Sequence, residues 1–252
     1  MQSLLSSFHL SLFNWILLGL SSLIIGMNKT GLPGISLITI PIAAAIFGGR
    51  DSSGILLPIL IVGDIFAVSY YNQHAQWKYV VRLLPWAAVG IALGVFVGER
   101  ISDLQFSHLM SIIILAGLVI MVLQEIRGKD LPIPETWWVA AILGLAGGFT
   151  TMVGNAAAPV MALYLLSMRL PKNSFIGTGA WFFFIVNVAK VPLHIIFWHT
   201  ITLHTAALDL IMAPIVIVGA LLGVGVVKLI KDKPYRILVI VATAATAIKL
   251  LF

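Results

Sequence analysis

Runs of apolar residues, each near the length of a bilayer crossing, follow one another along the whole chain and leave almost nothing between them. They fall at approximately 9–27, 32–48, 52–72, 78–98, 105–124, 136–151, 155–168, 174–198, 205–227 and 235–252. A helix needs about 20 such residues to cross a hydrocarbon core roughly 30 Å thick. With 60% hydrophobic residues, 10% charged residues and a mean hydropathy of +1.09, the chain lies far outside the range of soluble domains. The runs lack the period-2 alternation of outer-membrane strands, so their backbone groups are to be satisfied within helices. The expected class is an all-α polytopic protein, multi-pass in the cell membrane, with about ten hydrophobic segments. No basic stretch precedes the first run and no small-residue cleavage site follows it, so it reads as a first helix rather than a signal peptide. The chain has no cysteine, which excludes disulfide and thiolate chemistry. Its net charge of +6 is mostly loop charge and is no footprint of nucleic acid.

The runs also repeat. "GMNKTGLPGISLITIP" lies over "GLAGGFTTMVGNAAAP" without a gap, matching Gly26 with Gly144 and Pro41 with Pro159. With a few inserted residues, "GILLPILIVGD" falls on "GTGAWFFFIVN" and matches Gly54 with Gly177 and Asp64 with Asn187. Further on, Pro85 matches Pro214, Gly90 matches Gly219, Gly94 matches Gly223 and Asp103 matches Asp232. The conserved order and slowly growing offset point to a duplication. Residues 1–130 and 131–252 are read as N- and C-terminal membrane repeats of one integral membrane domain, joined by the polar linker "EIRGKDLPIPE".

Each half holds five runs, and an odd number turns the second copy upside down relative to the first. Loop charge agrees. Lys78, Arg82, Arg127, Lys129, Arg169, Lys172, Lys228, Lys231, Lys233 and Arg236 fall on one side, against Arg50, Arg100 and Lys249 on the other. By the positive-inside rule the crowded side is cytoplasmic and both termini are periplasmic or extracellular.

In each half a short polar, Gly-rich segment joins the first two runs: "NKTGLPG" in one and "TTMVGN" in the other. Interrupted segments at corresponding places in inverted halves mark a transporter's binding site near the bilayer midplane. The first two runs of each half are therefore expected to form a re-entrant or broken-helix hairpin whose tips meet there. Helix N-termini attract anions, and glycine lets backbone approach a ligand. Asn28, Lys29, Thr30 and Gly31 from one tip and Gly154 and Asn155 from the other are candidate substrate ligands; the bland alternative is an ordinary surface loop with Lys29 in water. Lys190 lies deep inside its run and shares a helix face with Asn187 and His194. A lysine at that depth costs about 2.5–3.5 kcal/mol on insertion scales and faces a cavity or a partner. Its expected counter-charge is Asp64, with Asp64 and His194 as candidate coupling groups and Thr178, Asn187 and Lys190 as further candidate substrate ligands. Two lysines against one carboxylate favour a small anion over a cation. Trp15, Trp77, Trp86, Trp137, Trp138 and Trp198 lie toward run ends, as in interfacial belts.

The sequence carries no HExxH, GxSxG or Walker A motif and no Cys/His cluster, so neither an enzyme nor a bound metal is expected. "MNKTGLPGISLITIP" and "TTMVGNAAAPVMALYLLSMRLPKNSFIGTGAWFFFIVNVAKVP" resemble the sulfite exporter TauE/SafE family of membrane permeases, the second stretch being the more specific. The similarity extends over essentially the whole chain, although "NKTGLPG" replaces the usual run of glycines. The resemblance implies a secondary transporter that moves sulfite, a sulfonate or a related organosulfur anion and carries no cofactor. Proton or sodium coupling and a homodimer are compatible with it. The alternatives are an anion channel using the same cavity and a membrane scaffold without transport activity.

Overall fold

The computed structural model describes residues 10–32, 35–97, 100, 102 and 137–251. The expected run at 105–124 and the linker at 125–135 lie outside the described residues. Among those described there is no strand, and nine α-helices follow one another: α1 (Leu12–Lys29), α2 (Thr39–Phe47), α3 (Gly49–Tyr71), α4 (Trp77–Val97), α5 (Trp137–Gly154), α6 (Ala158–Ser167), α7 (Lys172–Ile196), α8 (Leu203–Leu229) and α9 (Asp232–Leu251). Six of the described helices are long and apolar enough to cross a membrane: α1, α3, α4, α5, α7 and α8. By contrast α2 and α6, with 9 and 10 residues, extend only about 14–15 Å at 1.5 Å per residue, roughly half a hydrocarbon core.

Local chemistry fixes the ends. Ser11 caps α1 by accepting from the Asn14 amide at 3.2 Å, and Thr202 and Thr205 form a reciprocal cap at the start of α8. Both Gly-rich tips turn on a left-handed residue: Gly31 has φ +127° after α1, and Asn155 has φ 55° after α5. Asparagine is one of the few residues with a side chain that accepts that conformation readily.

Three helix pairs build the bundle, and small residues bring their backbones together. Helix α1 lies along α8: a Cβ on Gly26 would stand 2.1 Å from the Val216 carbonyl oxygen, and one on Gly219 would stand 2.1 Å from that of Leu23. Helix α4 lies along α5 in the same manner, with Gly148 against Ala87 and Gly90 against Leu145. In both pairs the contacts advance together along the two chains, so the helices are parallel. Helix α3 meets α7 the other way round: Gly54 faces His194 while Gly177 faces Tyr71, which makes that pair antiparallel. Residues 159–166 of α6 are all buried in the core these pairs enclose.

Contacts at one end join the end of α3 to the starts of α7 and α9 and the end of α8. Lys228 stands over the Tyr70 ring, the Gln76 amide donates to Thr178, and the Lys172 amide donates to Asp232. The basic residues Arg169, Lys172, Lys228, Lys231, Lys233 and Arg236 gather at this end. Trp77 and Trp137 are exposed, as a belt requires, but Trp198 is 6% exposed and packs edge-on against His194 at 5.0 Å.

A buried lysine–carboxylate–amide chain as candidate functional site

The middle of α3 contributes Gly63 and Asp64, and their adjacency is the local device that assembles the site. Because Gly63 has no side chain, the stem of Lys29 lies against α3; a Cβ there would be 2.9 Å from Lys29 Cγ. Lys29, the last residue of α1, thereby sets its ammonium 2.7 Å from Asp64 Oδ1, with side chains 7% and 0% exposed. The ammonium also stands over the Phe183 ring, 4.7 Å from its centroid.

Across the bundle, Asn187 of α7 donates to Asp64 Oδ2 at 2.6 Å. Its carbonyl oxygen lies 3.4 Å from Lys190 Nζ. The Lys190 ammonium, fully buried, donates to the Thr151 carbonyl and to Asn155 Oδ1 at 2.6 Å each and reaches the Thr151 hydroxyl at 3.1 Å. Asn155 in turn donates to the Ser53 carbonyl at 2.8 Å. One chain of contacts thus runs from the first tip to the second, Lys29–Asp64–Asn187–Lys190–Asn155.

The expected pairing of Lys190 with Asp64 is corrected by this geometry. Asp64 pairs with Lys29, and Lys190 reaches it only through Asn187. Lys190 is held by neutral oxygens alone, which saturate the three donors of an ammonium. Two lysines therefore stand with one carboxylate in the buried chain.

The other sequence-derived candidates divide. Thr30 donates to the Ala220 carbonyl at 2.9 Å and accepts at its own carbonyl from the Tyr71 hydroxyl at 3.2 Å, so it fixes the tip. Gly31 and Asn28 line a cavity of about 50 Å³ together with Lys29, Asp64, Gly179 and Phe183, space for a few waters. Gly154 ends α5 one residue before Asn155. Thr178 lies away from the chain: its hydroxyl accepts from the Gln76 amide at 2.9 Å and donates to the Ser174 carbonyl. His194, a turn beyond Lys190, faces Thr200 at 2.8 Å toward the start of α3. No group of three or more potential metal ligands occurs among the described residues.

Two buried polar residues, one in the chain and one elsewhere in the bundle, carried no signal of their own. Thr151, quoted only as part of a Gly-rich tip, is a main holder of Lys190. Asp209 of α8 is 4% exposed and has neither carboxylate oxygen hydrogen-bonded among the described residues; in the sequence it is one acid within a hydrophobic run.

The family model described as Sulfite exporter TauE/SafE matches residues 15–250. Two curated relatives, each described as "Probable membrane transporter protein MamO", are similar at 25% identity. The one from Magnetospirillum gryphiswaldense matches over 71% of this chain and 35% of its own length. The one from Paramagnetospirillum magneticum matches over 86% of this chain and 44% of its own length. The chain thus spans less than half the length of these relatives.

Proposed function

The chain belongs to the sulfite exporter TauE/SafE family, and on that premise we propose that it is a secondary transporter of a small anion, sulfite or a related organosulfur anion, across the inner membrane. The observation that carries this reading is the buried chain of two lysines, one carboxylate and two amides linking both tips. An oxyanion would find at Lys29 and Asn28 the charge and hydrogen bonds that replace its hydration shell, beside a cavity already formed. Lys190, whose donors are held by the protein, sustains the positive potential from behind.

Alternating access between two inverted five-segment repeats is supported by matched contacts in the two halves. Gly26 meets Val216 as Gly148 meets Ala87, and the Met27 carbonyl faces Gly223 as that of Phe149 faces Gly94. These pairs set Gly26 against Gly148, one helical turn beyond the Gly144 of the ungapped sequence match. The antiparallel α3 and α7 are the crossing that inverted copies would place on their shared axis, with Asp64 against Asn187. The half-length α2 and α6 suit hairpins that enter from opposite faces.

The test is flux into liposomes containing the purified protein, with sulfite compared against sulfate, phosphate and a cation. Saturable sulfite movement is expected. Ion currents far above transporter turnover would make the chain a channel, and absence of flux for every anion would favour a scaffold.

A further inference from the structure

The first turns of α7 and α9 meet at the basic end of the bundle, and each contributes one aromatic ring. Phe175 and Tyr235 pack edge to face with centroids 5.8 Å apart. On their outer side lies an open pocket of about 380 Å³ lined by Arg169, Lys172, Lys233 and Arg236, with Asp232 between them. On their inner side lies the small cavity that ends at Lys29 and Asp64. Phe175 and Tyr235 are the residues common to both linings.

Two of the basic groups are held in place by helix ends. Lys172 donates to the carbonyls of Val227 and Ile230, where α8 stops, and Arg236 donates to the Leu166 carbonyl at 2.9 Å, where α6 stops. Tyr235 is 2% exposed, and its hydroxyl has no hydrogen-bond partner among the described residues. A buried hydroxyl left without a partner is destabilising and calls for an occupant that completes it.

We propose that the basic pocket is the vestibule through which the small oxyanion reaches Lys29, and that the Phe175–Tyr235 pair is the gate between them, the Tyr235 hydroxyl donating a hydrogen bond to the anion as it passes. This rests on the reading of the chain as an anion transporter. Among the described residues the pocket lining sets four cationic side chains against one carboxylate, an excess that concentrates anions at the mouth. The two rings close the path by packing, so rotation of either would join the two cavities.

The chain has no cysteine, and Ala180 lines the inner cavity, so Ala180→Cys reports on access. The variant is reconstituted in vesicles of neutral phosphatidylcholine, where no anionic headgroup competes, and treated with anionic and cationic methanethiosulfonates of similar size. Slow modification is expected with the gate intact. Tyr235→Ala or Phe175→Ala should accelerate it at least tenfold from the face carrying Lys233, with the anionic reagent faster. Arg169→Gln combined with Lys233→Gln should remove that preference. Tyr235→Phe keeps the ring and should leave modification slow while slowing sulfite flux several-fold. Unchanged rates in both alanine variants, or equal rates for the two reagents, would overturn the gate. Modification needs no sulfite, so gated, anion-selective reactivity in a protein that moves no sulfite would refute the substrate and keep the path.

Discussion

Asp64 accepts from two sides, Lys29 on one oxygen and Asn187 on the other, so removing either partner leaves a buried carboxylate short of a donor. Breaking a buried ion pair by deleting one member costs about 3–5 kcal/mol, whereas replacing both with apolar groups is often near neutral. Lys29→Met should therefore lower thermal stability in detergent sharply, and the double variant Lys29→Met, Asp64→Leu should recover most of the loss. Equal instability of the single and double variants would show that the pair does not hold the fold. Lys190 is predicted to matter in a different way. Lys190→Gln keeps a donor for Asn155 or Thr151 but removes the charge, and because Lys190 acts on the proposed anion through its field and not through a hydrogen bond, affinity should fall about tenfold. Calorimetric titration of the folded variant with sulfite checks this; wild-type affinity would make Lys190 purely structural.

At the level of helices, the parallel pairs α1 with α8 and α4 with α5 rest on glycines whose missing side chains leave no spare room. Gly219→Val and Gly90→Val would each drive a side chain into a facing backbone carbonyl, 2.1 Å from the position of the new Cβ. Each should destabilise by about 1–3 kcal/mol through overpacking. Gly225→Ala, where nothing stands within 4 Å, should be neutral or slightly stabilising. Thermal unfolding of the three variants separates these outcomes; a harmless Gly219→Val would mean that the α1–α8 contact is loose. Part of this scale was legible in the sequence: the Gly-bearing tips are turns at Gly31 and Asn155, and Gly90, Gly94, Gly219 and Gly223 lie at close helix contacts. Which glycine meets which facing backbone was not legible, because a Gly-rich run does not show that Gly26 is the residue against Val216 or Gly148 the one against Ala87. The ion pair was hidden for a related reason. Helix periodicity shows that Asn187 and Lys190 share a face, but not that Gly63 opens a path for Lys29 from another helix.

Among the described residues the buried chain and the basic fringe at one end are two concentrations of charged side chains, and the proposed path runs between them. Basic side chains at the ends of α6, α7, α8 and α9 gather where the end of α3 also lies, so six of the ten basic residues counted on one side of the sequence form a spatial cluster. Composition made the membrane class legible, since no other solvent tolerates ten such runs. It could not reveal the aromatic pair at the mouth, because Phe175 and Tyr235 look like ordinary packing residues until two cavities are found to end on them. By the positive-inside rule the cluster is expected on the cytoplasmic side. Single cysteines at Asn173 and Lys231, both exposed at that end, should react with an impermeant maleimide only when it is applied from the cytoplasmic face. A cysteine at exposed His199, beyond the far end of α7, should react only from outside. Labelling of all three from one face would contradict the crossing of α7, and the reverse pattern would turn the protein over, placing the vestibule on the periplasmic side.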